Sequence, residues 1–190
     1  PNPPIAAIHT NLSQELLLAG QFDEGWQLYE QRLKNLDKHD HRYFEALAGP
    51  RWAGPNDPRP CDHLVLVAEQ GFGDTLQFVR LAIALQQQGL RITLFCQPAL
   101  IPLLQEGSTL NDVCCELPPE KFSPSSRWCP LMSLPDRLGL NATNIPLGAG
   151  YLTVDAERIQ RWNQLMPRQT GLRRVALHWQ GNLRHEEKLY

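Results

Sequence analysis

An α/β fold built on a mainly parallel sheet is the fold class the sequence predicts, and three observations carry that prediction. From His63 onward, short β-rich apolar runs alternate with helix-length patterns, an order that implies βαβ crossovers and a sheet covered on both faces. The stretch TLQFVRLAIALQQQGL places Leu76, Val79 and Ile83, and again Phe78, Ala82 and Leu85, on one wide apolar helical face. The 190 residues, 42% of them apolar, allow one compact domain and an appendage. Two full nucleotide-binding α/β domains of over ~100 residues each do not fit comfortably in that length.

The elements follow in order. In NLSQELLLAGQFDEGWQLYEQRLKNL, Leu12, Leu16 and Leu17 recur at helical spacing, Gly20 interrupts, and Phe22, Trp26, Tyr29 and Leu33 resume the pattern. Two short antiparallel helices over 1–36 are expected, with Gly20 in the turn and Asp23 as cap of the second helix. Their LLxxGxxxEGWxxYE wording resembles one tetratricopeptide unit, and because such units bury their faces by stacking, it looks like the last of an array. A plain helical hairpin packed on the next domain is the alternative. Four prolines between Pro50 and Pro60 mark 37–62 as an irregular linker.

The main domain is placed at 63–172, with strands at HLVLVAE, RITLFCQ, DVCCEL and RWCPLM. Helices are expected after the first strand, at PALIPLLQEG behind Pro98, at SLPDRLG and at VDAERIQRWNQLM, and RRVALHWQ reads as a last strand. In such a sheet the functional crevice lies beyond the strand C-termini.

Composition excludes several classes. With 18 Lys+Arg against 20 Asp+Glu the formal charge is −2, so no surface built to neutralise nucleic-acid phosphates shows in the total. No apolar run approaches the ~20 residues of a membrane span, and PNPPIAAIHT lacks the parts of a signal peptide. Cys61, Cys96, Cys114, Cys115 and Cys129 are odd in number and lack zinc-ligand spacing, so they are expected to be reduced and mostly buried in a cytoplasmic protein. Asp37, His39, Asp40 and His41 carry metal-capable side chains, but a solvated helix end accounts for them, and no metal is expected. The absence of an initiator Met suggests a chain processed or cut from something longer.

The chemistry concentrates in the loop after the first strand, Glu69-Gln70-Gly71-Phe72-Gly73-Asp74-Thr75. Two glycines two apart allow a tight turn and close approach of a ligand to the main chain, and the next helix offers free N–H groups. Leu76 stands where a dinucleotide fingerprint needs its third Gly, which weakens an NAD-type oxidoreductase reading, and no Gly-Lys-Ser/Thr follows for a phosphate loop. What remains is Asp74, a carboxylate at the strand-to-helix turn able to take a proton from a hydroxyl. An Asp directly before a helix, with Gln77 three residues on, also has the wording of an N-cap in a capping box. Both readings stand on the residues alone.

A resemblance bears on the choice. VAEQGFGDTLQFVRLAIAL, with RWCPLMSLPDRLG, IPLGAGYLTVDAERIQRWNQLM and RRVALHWQGN, resembles the tetratricopeptide-linked glycosyltransferases related to the lipopolysaccharide heptosyltransferases (glycosyltransferase family 9), from Leu16 onward. The stretch 69–80 is its most specific part. The resemblance implies the N-terminal, Rossmann-like, acceptor-binding half of a two-domain GT-B enzyme, with nucleotide-sugar as donor substrate, a carbohydrate or glycolipid as acceptor, and no further cofactor. It implies that Asp74 is the catalytic base, because the Asp of the Gly-Asp turn has that proposed role in the heptosyltransferases. Gly71, Phe72, Gly73 and Thr75 around it, and Trp128 and Ser133 flanking the turn at Cys129 to Met132, are the expected substrate-binding set, Trp128 as a stacking face for a sugar ring, although core packing is the default for such a tryptophan.

Residues 173–190 would then be the first strand and loop of a donor domain whose remainder is missing, with Gly181, Asn182 and Lys188 on the donor side, and this piece alone is expected to be inactive. A solvated charge run accounts for Arg184 to Lys188 as well. His178 is read as a rim residue of that strand, and Cys129 lacks a base partner for nucleophilic work. A binding module, its hairpin recruiting a protein partner beside a non-catalytic α/β domain, is the alternative function.

Overall fold

A computed structural model describes residues 5–34, 44, 47, 49–116, 123–146 and 150–177. The chain divides into two compact units, Pro1–Thr153 and Val154–Tyr190. The hairpin and the expected linker therefore share a unit with the sheet, and the division falls nineteen residues earlier than the 172/173 boundary the sequence suggests.

In the first unit, α1 (Ile5–Leu18) and α2 (Phe22–Tyr29) pack on each other and are followed by a 3-10 turn, Glu30–Lys34. Gly20 bends the chain between them at φ 77, a left-handed conformation that costs glycine nothing. Gly25 explains the close packing: a Cβ there would stand 2.8 Å from Leu17 Cδ2. Asp23 does not cap α2; Gln21 holds the N-cap position, and Asp23 lies inside the first turn, where its charge still suits the helix dipole.

Four strands, β1 (His63–Val67), β2 (Arg91–Phe95), β3 (Val113–Cys114) and β4 (Ser126–Pro130), form an all-parallel sheet in the order β3-β2-β1-β4. Between them lie α3 (Phe72–Gln87), a Pro98–Leu100 3-10 turn leading into α4 (Ile101–Gly107), and, after a Leu131–Ser133 3-10 turn, α5 (Leu134–Arg137). β1 is buried along its whole length because it is central and covered on both faces. Leu64 and Leu66 face a core formed with Val79, Ile83, Leu104 and Leu131, while Val65 and Val67 meet Leu47 and Phe95 on the other face.

The Pro-rich stretch has no helix or strand over 49–62, as the prolines dictate, yet it is not a free linker. Arg51 forms a parallel bridge with Trp128, Trp52 N–H donates to Trp128 O at 2.8 Å, and the Trp52 side chain is buried. Asp57 folds the stretch by accepting from Ala53 N–H, Arg59 N–H and the Arg59 guanidinium, which hold its carboxyl far below the usual range.

In the second unit, α6 (Ala156–Leu165) is capped by Asp155, whose side chain accepts from Arg158 N–H at 2.8 Å. No residue of α6 is buried. Residues 172–177, which contain the described part of the expected last strand, have no strand assignment; among the described residues that segment has no ladder partner. Among the described residues no helix is long and apolar enough to cross a membrane.

Candidate functional site

The strand order reverses direction between β1 and β4, because β2 and β3 extend from one side of β1 and β4 lies on the other. In open parallel sheets this is where the loops leaving the strand C-termini separate and make room for a ligand. Here the space is occupied. Glu69, after β1, is 3% exposed, and its Oε1 accepts from Arg32 Nη2 at 2.6 Å and from Met132 N–H at 3.3 Å. Ser133, after β4, is fully buried and accepts from Arg32 at 3.0 Å and Arg51 at 2.9 Å.

Glu30 gathers the remaining charges, binding Arg32 at 2.9 Å, Arg51 at 2.6 Å and Arg137 at 3.0 Å. Burial alone would raise the Glu30 carboxyl, but the Ser133 hydroxyl, Arg32 and Arg51 outweigh it and hold it below the usual carboxylate range. For Glu69 burial wins over Arg32, and its carboxyl is pushed up. The hairpin thus fills the crevice between β1 and β4 with its own ion-pair network. No sequence motif announces this network, because its members come from five separate stretches of chain.

Beside the filled crevice lies the turn from β1 into α3, where Phe72 and Gly73 are exposed. Its left-handed residue is Gln70, at φ 64, and not either glycine: Gly71 has φ −87 and is the N-cap of α3. Both atoms of the Gln70–Gly71 peptide are held. Gln97 Nε2, two residues beyond β2, donates to Gln70 O at 3.1 Å, and Gly71 N–H donates to Asp74 Oδ2 at 3.0 Å. The Gln70 side chain donates to Tyr29 Oη at 3.2 Å.

Asp74 is therefore the third residue of α3, reaching back to the N-cap amide, and is not itself the N-cap. The helix begins at Phe72, three residues earlier than the apolar periodicity indicates, since the polar and small residues of its first turn carry no periodic signal. The Asp74 side chain is half-buried, and among the described residues its Oδ1 accepts no hydrogen bond. Phe72 is 53% exposed beside it, and a Cβ added at Gly73 would meet nothing within 4 Å.

Three expected substrate-binding residues are placed elsewhere. Thr75 is fully buried, and its hydroxyl lies 3.0 Å from Gln97 Oε1, so it braces the turn and is closed to a ligand. Ser133 is consumed by the arginine network just described. Trp128 lies mid-strand on the far face of the sheet, stacked on Phe44 at 5.4 Å with Nε1 donating to Gly49 O, because alternation along β4 turns it away from Cys129. Gly71, Phe72, Gly73 and Asp74 stay together at one exposed edge. Gly181, Asn182, Lys188 and His178, and the cluster Asp37, His39, Asp40 and His41, lie outside the described residues.

Two other groups of reactive side chains are sealed. Cys129 is fully buried, and burial pushes its thiol up to about 12, which keeps it protonated and inert; Cys96 behaves alike, whereas Cys115 is exposed. At the N-terminal ends of the strands, His63 Nδ1 lies 3.1 Å from Ser126 Oγ and Nε2 lies 2.9 Å from Thr93 Oγ1, which donates to Asp112. Because the Thr93 hydroxyl gives its proton to Asp112, it accepts from the ring at Nε2. The pairing has the sense of a nucleophile and its base, but Ser126 and His63 are 1% and 2% exposed, so the group pins three strands together and no substrate reaches it.

Comparison with protein-family models, with curated proteins and with solved structures gives no match.

Proposed function

We propose that the chain is the acceptor-side portion of an inverting GT-B-like glycosyltransferase, with Asp74 as general base. The observation that carries this reading is the Asp74 carboxylate: one oxygen is fixed by the Gly71 amide, the other accepts no hydrogen bond among the described residues, and both stand at the C-terminal edge of a parallel sheet beside the open backbone of Gly73. The family resemblance of the 69–80 wording supports it.

In the complete enzyme an acceptor hydroxyl rests against Phe72 and Gly73 and gives its proton to Asp74. Its oxygen attacks the anomeric carbon of a nucleotide-sugar as the bond to the nucleoside diphosphate breaks on the opposite side. The leaving diphosphate is stabilised by a second, donor-binding domain. The helical hairpin belongs to the same proposal as a tetratricopeptide unit, supported by Ile5, Ile8 and Leu12, which leave an apolar stripe exposed along α1.

A screen of nucleotide-sugars against the complete protein tests the reading. Transfer or slow hydrolysis of one donor is expected. If no donor is bound or turned over while the hairpin captures a defined protein partner, the chain is a binding module instead.

A further inference from the structure

A glutamine in the left-handed region is held at a cost, because L residues with a Cβ clash there with the following carbonyl. Its surroundings must over-determine it. Two of the groups that do so come from the helical hairpin: Tyr29 Oη holds the Gln70 side chain, and Arg32 holds Glu69 one residue earlier. Arg32 is itself locked, 4.6 Å over the Tyr29 ring and bonded to Glu30 and Ser133. Tyr29 is 7% exposed and packs edge-on against Trp26, which packs in turn on Phe78 of α3. Hairpin and turn are therefore one hydrogen-bonded body.

The consequence reaches the carboxylate. If Gln70 relaxes to negative φ, the Gln70–Gly71 peptide rotates, Gly71 N–H leaves Asp74 Oδ2, and the carboxylate loses the bond that fixes its direction. We infer that Tyr29 and Arg32 are positioning residues for Asp74, so that the hairpin is a working part of the site and not only a recruiting appendage. This inference rests on the reading of Asp74 as the base.

Tyr29→Phe removes one hydroxyl and keeps the ring, so it tests the link without emptying the core. Two readouts in the complete protein separate positioning from folding. Amide exchange at Gly71 is expected to speed up about tenfold while exchange at Val79, in the buried middle of α3, stays unchanged. Turnover with the donor found by the nucleotide-sugar screen is expected to fall about tenfold with donor KM unchanged. Gln70→Gly, which adopts the left-handed conformation without help, is expected to cancel the effect of Tyr29→Phe on both readouts.

Unchanged Gly71 exchange in Tyr29→Phe overturns the inference, and so does acceleration at Gly71 and Val79 together, which means general loosening. Wild-type turnover in Asp74→Asn removes the base assignment and the catalytic half of this inference with it. Loss of turnover in Asp74→Asn with none in Tyr29→Phe leaves the base in place and removes the hairpin's role.

Discussion

Gln70 bends the chain at the turn after β1, and the two glycines beside it serve other ends. The sequence pointed to Gly71 and Gly73 as the turn-makers, which is the sound reading of a GxG pattern, yet Gln70 takes the positive φ because Gln97 and Tyr29 hold it there. Those partners stand 27 and 41 residues away, and no local pattern reveals them. Asp74 was legible as a carboxylate at a strand-to-helix turn, since strand, glycines and helix face are all local signals. Thr75 and Ser133 were not legible as structural residues, because only the fold shows which hydroxyls are spent. Gly73 offers a direct check. Gly73→Ala fills open space in a first helical turn and is expected to stabilise the protein by about 0.5–1 kcal/mol in urea unfolding. If the acceptor lies against this backbone, the same methyl lowers transfer. Greater stability with undiminished transfer places the acceptor elsewhere.

Among the elements, the hairpin departs furthest from a reading by sequence. Its helices and turn follow from apolar spacing and Gly20, but its attachment to the sheet depends on Glu30 and Arg32, which look like ordinary surface charges in a helix end. Burial converts them into a network with Arg51, Arg137 and Ser133. A pH dependence follows. The folded-state value of Glu30 is depressed, so its contribution is fully present above the ordinary glutamate range near about pH 4.3 and is lost as pH falls through the folded value. The Glu30 contribution is therefore expected to be lost on acidification below about pH 4, loosening the hairpin on the sheet, while Glu69, whose carboxyl burial pushes up, contributes in the opposite direction. Glu30→Gln is expected to lower the urea midpoint at neutral pH and to flatten that acid limb. An unchanged slope in the variant assigns the acid sensitivity to other carboxylates. The short two-residue β3, and the lack of a ladder at 173–177 among the described residues, have a common cause: a strand exists only where a neighbour pairs with it, and apolar composition does not supply one.

For the whole molecule, alternation of strand and helix signals was sufficient to predict the parallel α/β sheet, because each crossover leaves a separate run in the sequence. The order β3-β2-β1-β4 places a switch point between β1 and β4, and the hairpin's ion pairs occupy it, so that Asp74 stands beside it on the β1–α3 turn. That arrangement concentrates the functional reading on one side chain. The most direct test is Asp74→Asn in the complete protein, with sugar transfer and melting temperature measured on the same preparation. The substitution keeps an oxygen for the Gly71 amide and removes the proton acceptor, so transfer is expected to fall by about 10²–10⁴-fold while the melting temperature barely moves. A variant that transfers sugar at the wild-type rate and melts several degrees lower would show that Asp74 only ties down the first turn of α3.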